Sequence, residues 1–137
     1  KLTSASLNNY QFRYYDIISN SKFSFCSGGP MFSLIRKYFE IPSRGTVSIG
    51  WECNGFNDMG FIDGVNFLKV KSNNEIKDIL ESYSLKEIQK IANEGRKLIW
   101  RNHSDWARRK QLLETFNLIS EGKFNGSYWE KGMYKHF

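Results

Sequence analysis

The segment from Lys22 to Ile49, KFSFCSGGPMFSLIRKYFEIPSRGTVSI, limits the fold more than any other part of the chain. It reads as a short apolar strand over Lys22 to Cys26 with Phe23 and Phe25 on one face, then a Ser27-Gly28-Gly29-Pro30 loop. A helix follows from Met31 to Phe39, striped by Phe32, Ile35 and Phe39 and leading through Ser33 and Arg36 to Glu40. Pro42 and Gly45 end that helix, and the β-branched run Thr46-Val47-Ser48-Ile49 begins a second strand. A strand that delivers a glycine loop to a helix start is a common way to build an anion site, because free backbone N–H groups and the helix dipole point at the ligand. The expected ligand bears phosphate.

The remaining elements alternate in the same manner. Leu7 to Ser19 is aromatic-rich, with Tyr10, Tyr14 or Tyr15 and Ile17 or Ile18 at helical spacing, and it ends at the polar pair Asn20-Ser21. From Gly50 to Gly64 the sequence is glycine-rich and aperiodic, which predicts a long loop of the functional or mobile kind. Val65 to Val70 returns as a strand. Ser72 with Glu75, and Ser84 with Glu87, have the spacing of a capping box, so a helix is expected after each. The second of these carries Leu85, Ile88, Ala92 and Ile99 on one face and runs towards His103. Ser104 caps a further helix with Trp106, Leu113, Phe116 and Ile119 turned inward and Gly122 as its stop, and the aromatic tail from Lys123 to Phe137 reads as irregular.

Strands separated by helices predict an α/β class domain with a parallel sheet, Rossmann-like and three-layered, with its ligand at the carboxyl ends of the strands. Only about three strands are visible, few for a doubly wound sheet, which suggests a small or truncated version. The chain of 137 residues, 40% hydrophobic, supports one core, so residues 1–137 are read as a single domain. No apolar run reaches the roughly 20 residues that span a bilayer. Lys1 in place of Met, without a charged-then-apolar leader, points to a piece of a longer protein. Cys26 and Cys53 form no C-x-x-C pair, and the expected compartment is reducing and cytoplasmic. A net charge of +6 favours anionic partners without choosing among nucleotide-sugars, nucleic acids, lipids and polysaccharides.

The order of motifs resembles the C-terminal, donor-binding half of GT-B glycosyltransferases, nearest to the group 1 enzymes of the spore-protein type and the exostosin-like enzymes. The residues that carry the likeness are SLIRKYFEIPSRGTVSIG, GFIDGVNFLKV and IANEGRKLIWRNHS, within a span from about Tyr14 to Leu113. The resemblance implies a nucleotide-sugar as donor substrate, with neither metal nor cofactor. Glu40 falls at the family position that hydrogen-bonds the ribose, a task suited to a carboxylate accepting two bonds. Arg36, one turn earlier, falls at a position associated with the diphosphate, where a guanidinium fork fits phosphate oxygens. Arg36 and Glu40 would together stabilise the departing nucleoside diphosphate, and Gly28, Gly29 and Ser33 would complete the phosphate cradle. Phe32 stands where many group 1 enzymes have a second glutamate, and Pro42 where a small helix residue is usual. The acceptor, a saccharide, lipid or protein, would be held by an N-terminal domain outside this sequence.

Other readings compete. Arg36 and Glu40 at i, i+4 form a surface ion pair in many helices, and paired glycines often make no more than a tight turn. Asp58 and Asp63 could serve as acid or base, although turn-forming aspartates are commoner. His103 reads as a helix end, His136 lies in the tail, and neither joins a cysteine in zinc spacing. Arg96, Lys97, Trp100, Arg101, Trp106, Arg108, Arg109 and Lys110 interleave basic and aromatic side chains as single-strand nucleic-acid grooves do, but Trp100 and Trp106 fall near the apolar faces of their helices and are expected in the core. The final alternative is a non-catalytic scaffold derived from a transferase half.

Overall fold

The computed structural model describes residues 4–137, with side chains from residue 9 onward, so Lys1 lies outside the described residues. The order is α1 (Ser4–Ser19), β1 (Phe23–Cys26), a 3-10 turn (Pro30–Phe32), α2 (Lys37–Ser43), β2 (Val47–Gly50), β3 (Leu68–Lys69), α3 (Glu75–Ser82) and α4 (Leu85–Leu98). A π turn (Ile99–His103), α5 (Asp105–Ser120) and a hairpin of β4 (Ser127–Glu130) and β5 (Met133–His136) complete the chain. The class is mixed α/β. β1, β2 and β3 form a small parallel sheet of three strands in that order, with Phe23 opposite Val47 and Ile49 opposite Leu68. No helix among the described residues is long and apolar enough to cross a membrane.

Side chains leave the sheet alternately for two apolar clusters, as a period of two requires. Val47, Ile49, Leu68 and Val70 join Ile91 and Ala92 of α4. Cys26 and Phe67 face the other way, onto Tyr38 and Ile41 of α2 and Ile99. Burial pushes the Cys26 thiol up to about 12, so at neutral pH it is an inert apolar group. At the end of α1, Ile18 is buried and its carbonyl accepts the Thr46 hydroxyl at 2.6 Å, while Phe12, Arg13, Asp16 and Ile17 face solvent.

Several expectations are corrected. The helix expected from Met31 to Phe39 breaks after the 3-10 turn, because Met31 and Phe32 both lie at positive φ (55° and 53°), and it restarts at Lys37. Ser33 is therefore extended rather than helical. Pro42 does not end α2 but lies inside it; the helix is so short that Gly45 stops it within one further turn. The segment from Gly50 to Gly64 is the long irregular loop expected, but it also supplies core: Phe56 and Phe61 are buried and pack on Phe67. The strand expected over Val65 to Val70 contracts to β3, since the buried Asn66 donates to the Gly60 carbonyl (2.9 Å) and accepts from the Ile62 N–H (2.8 Å), holding its neighbourhood as a turn. Asp63 likewise accepts from the Lys69 N–H at 2.8 Å.

At the helix starts, Ser84 and Glu87 make the full capping box and Ser104 caps α5. Ser72 does not cap α3; there the Glu75 carboxylate reaches back to the Lys71 N–H at 2.9 Å. The tail expected to be irregular is an antiparallel hairpin whose turn, Lys131-Gly132, sits at positive φ and donates the Gly132 N–H to the Asp58 carbonyl at 2.8 Å. Trp106, Leu113, Phe116 and Ile119, expected inward, are exposed, as is Leu112. α5 instead turns Ala107 inward and half-buries Arg108, Gln111, Thr115 and Leu118. Trp100 and Trp106 are 60% and 79% exposed, not core residues.

Gly95 marks the closest approach of α4. A Cβ there would lie 2.9 Å from the Asn66 carbonyl oxygen and 3.1 Å from Pro42 Cβ. Helix propensity alone favours Gly95→Ala by about 1 kcal/mol, whereas crowding a packed site costs about 1–3 kcal/mol. The variant should lower the urea midpoint; an unchanged or raised midpoint would refute the close approach.

His103 makes stability depend on pH. Its Nδ1 lies 3.1 Å from Arg108 Nη2, and a guanidinium can only donate, so Nδ1 accepts and Nε2–H donates to the Met59 carbonyl at 2.8 Å. Phe39 and Trp129 enclose the ring. Burial lowers its pKa, and the Arg108 charge adds to this against the Met59 bond. The folded state therefore binds fewer protons than the unfolded one across the interval. Its contribution is complete above about pH 6.5 and is lost as pH falls through the lower folded value. Thermal midpoints measured from neutral to mildly acidic pH should decline, and less steeply in His103→Gln.

Candidate functional site

β1 ends at Cys26, and the chain turns through the glycine loop into residues that Asn54 clamps from outside. The Asn54 amide donates to the Met31 carbonyl at 3.0 Å and its backbone N–H to the Phe32 carbonyl at 2.8 Å, which holds the two residues of positive φ in place. The loop also packs on itself. A Cβ on Gly28 would sit 2.9 Å from Cys53 Sγ, and one on Gly29 would lie 2.6 Å from Ile35 Cγ2 and 2.7 Å from Ser33 Oγ. Close packing thus accounts for both glycines, and the Gly29 N–H is already given to the Ser33 carbonyl at 2.9 Å.

Arg36 and Glu40 come together beyond this loop. They line a cleft of about 370 Å³, whose one wall is Ile35, Arg36, Lys37 and Glu40 and whose other is Tyr10, Gln11, Tyr14 and Tyr15 of α1. Gly28, Gly29 and Ser33 are not among its lining residues. Of the five candidate residues, the fold joins Arg36 and Glu40 in one cleft and keeps the other three in the loop behind them.

The chemistry centres on Glu40. Its Oε1 accepts from Arg36 Nε and from the Tyr15 hydroxyl, each at 2.9 Å. The Glu40 side chain is only 15% exposed and the Arg36 side chain 74%, so the carboxylate is held within the wall while the guanidinium end projects into the cleft mouth. Glu40 Oε2 has no hydrogen-bond partner among the described residues. The bond to Glu40 raises the Tyr15 pKa, and burial raises that of Tyr14, so both phenols stay protonated and able to donate. The Arg44 guanidinium lies 4.4 Å from the Tyr15 ring centroid and stiffens this wall from behind. The arrangement offers one free acceptor oxygen, one unpaired guanidinium edge and a row of phenol rings.

The tyrosines were missed as site residues. Their helical spacing was legible, but an aromatic stripe at that spacing is ordinarily a core face, and only the placement of α1 across the start of α2 turns it towards a cleft. Among the described residues, no three of His, Cys, Asp and Glu gather in a group that could hold a metal ion. No protein-family model, curated protein or solved structure matches this chain.

The Tyr15 to Glu40 bond can be tested by its effect on the phenol. Glu40→Gln should bring the Tyr15 pKa back towards its ordinary value of about 10. Tyrosinate absorbance in an alkaline titration should then show one phenol ionising earlier than in the parent, a change absent from Tyr15→Phe/Glu40→Gln. Identical titrations of the parent and Glu40→Gln would rule the bond out.

Proposed function

We propose that this chain is the donor-binding part of a GT-B type glycosyltransferase, which transfers a sugar from a nucleotide-sugar without a metal. The observation that carries the reading is the convergence of Arg36 and Glu40 in one cleft, with a carboxylate oxygen left over. Glu40 Oε2 accepts from the ribose hydroxyls. The free edge of Arg36 donates to the diphosphate and balances the charge that grows on the leaving group as the glycosidic bond breaks. Tyr10 and Tyr14 offer rings to the base. The volume of about 370 Å³ is within the usual range for sites of small ligands.

The sheet is consistent with this reading. Its strands are parallel, its faces bury two clusters, and α2 follows the carboxyl end of β1, features that belong to a three-layer, Rossmann-like arrangement with its ligand at that edge. The acceptor is bound by a second domain, and the protein works in the cytoplasm. A basic nucleic-acid module is the runner-up, favoured by the exposure of Trp100 and Trp106 beside Arg96, Lys97, Arg101, Arg109 and Lys110.

Thermal unfolding with UDP, GDP, ADP and TDP separates these readings. A ligand at 100 times its Kd stabilises by about 2.7 kcal/mol, enough to raise the midpoint by several degrees. One base should raise it more than the others, with no need for a divalent ion, and Glu40→Ala should abolish that base-selective part of the rise. An equal response to all four, lost steeply with salt and kept in Glu40→Ala, would replace the donor site by the nucleic-acid reading. No response to any of them would refute nucleotide binding by this chain.

A further inference from the structure

A second cleft, of about 460 Å³, opens between the ends of α1 and α2 and the last turns of α4, and is lined by Ser19, Ser43, Arg44, Arg96 and Trp100. It contains two cations and no carboxylate. Neither Arg44 nor Arg96 forms an ion pair with any described residue, although six ion pairs occur among those residues elsewhere. Rings orient the guanidiniums instead: Arg44 lies over Tyr15 at 4.4 Å and Arg96 over Trp100 at 5.9 Å. Such contacts fix a guanidinium through its face and leave its N–H edge free, and that edge fits two oxygens of one phosphate.

Trp100 is the unusual member of the group. Its indole Nε1–H donates to the Ser43 carbonyl at 3.3 Å, which fixes the ring, yet the residue remains 60% exposed. A fixed, solvent-facing indole beside two unpaired guanidiniums meets two separate needs of one ligand, a stacking surface for a flat ring and a counter-charge for a phosphate.

We propose that this cleft is a second anion site, distinct from the Arg36 and Glu40 cleft, that takes a phosphate ester joined to a flat ring: Arg44 and Arg96 hold the phosphate and Trp100 stacks on the ring. The chemistry is that of a 5′-nucleotide, free or within a single strand. The Tyr15 ring separates the two sites, with its hydroxyl on Glu40 and its face under Arg44. The assignment does not rest on the transferase reading.

The test is an NMR titration of the indole and arginine Nε–H signals at low salt, with AMP, ribose 5-phosphate, adenosine and a deoxyadenylate hexamer, using Trp100→Phe to assign the indole. AMP should shift the Trp100 signal saturably and bind about tenfold more tightly than ribose 5-phosphate or adenosine, each of which lacks one half of the recognition. Arg44→Gln and Arg96→Gln should each weaken AMP about tenfold, and Arg36→Gln, at the other cleft, should leave its affinity unchanged. Trp100→Leu should erase the preference for AMP over ribose 5-phosphate. A hexamer that binds much more tightly than AMP identifies a strand as the source, and equal affinities identify the free nucleotide. The proposal is overturned by the absence of a saturable shift, by equal affinities for AMP and ribose 5-phosphate, or by AMP binding that survives both arginine variants.

Discussion

The buried phenol of Tyr38 is the constraint on which the arrangement depends. Its ring stacks on Phe67 at 5.5 Å and meets the edge of Phe61, while its hydroxyl donates to the Trp51 carbonyl at 2.8 Å and lies 3.1 Å from Cys53 Sγ. One side chain thereby ties α2 to the end of β2, to the aromatic segment that follows it and to the residue that limits Gly28. Burial raises its pKa further, so the hydroxyl remains a donor. Residues two positions apart on a helix are separated by about 200°. With Tyr38 fixed inward, Arg36 and Glu40 on either side of it turn outward together. The orientation of the candidate site is thus set by a residue that never touches it.

Much of this was legible in the chain. Val47, Ile49 and Leu68 are β-branched or aliphatic, and the parallel sheet formed where they stand, with Val70 just past its edge. The box at Ser84 and the cap at Ser104 also appeared at their expected positions, because a cap is a local hydrogen bond that needs little tertiary support. Three features were hidden for physical reasons. The left-handed pair Met31 and Phe32 carries no sequence signal, since its conformation is imposed by Asn54, more than twenty residues later. Phe56, Phe61 and Phe67 lie among glycines without periodicity, so their union in one core depends on Tyr38. The inward face of α5 is hidden because its large apolar residues spread around much of the helix, and the strip turned inward, with Ala107 on it, is the less apolar one. Of the candidate site, Arg36 and Glu40 came from spacing and resemblance; their tyrosine wall required the fold.

The two clefts divide the charges of α2 and its flanks in opposite ways. In the first, one carboxylate satisfies Arg36 Nε and a phenol and offsets one of the two cations, Arg36 and Lys37, that line the cleft. In the second, two guanidiniums rest on aromatic faces, which attract a cation without neutralising it. Part of the net charge of +6 is therefore concentrated in a concavity rather than spread over the surface. A low-dielectric wall on either side of such a charge strengthens its field towards solvent.

α1 is held at its last turn, where Ile18 is buried and its carbonyl meets Thr46, and one turn earlier, where Tyr14 packs on the core and Tyr15 is bonded to Glu40; its tyrosines form one wall of the first cleft. Residues 9–13, beyond those contacts, are exposed, so the part of the helix that carries Tyr10 is the less held. A rotation of about 10° about Asn20 would carry Tyr10, about 15 Å away at 1.5 Å per residue, by about 2.6 Å, and Tyr14 and Tyr15, at about half that distance, by only about 1.5 Å. The width of the cleft at its Tyr10 end then depends on the direction of α1, while its Tyr15 end is set by the bond to Glu40. Tyr15 is thus shared between the two clefts, its hydroxyl on Glu40 and its ring face under Arg44.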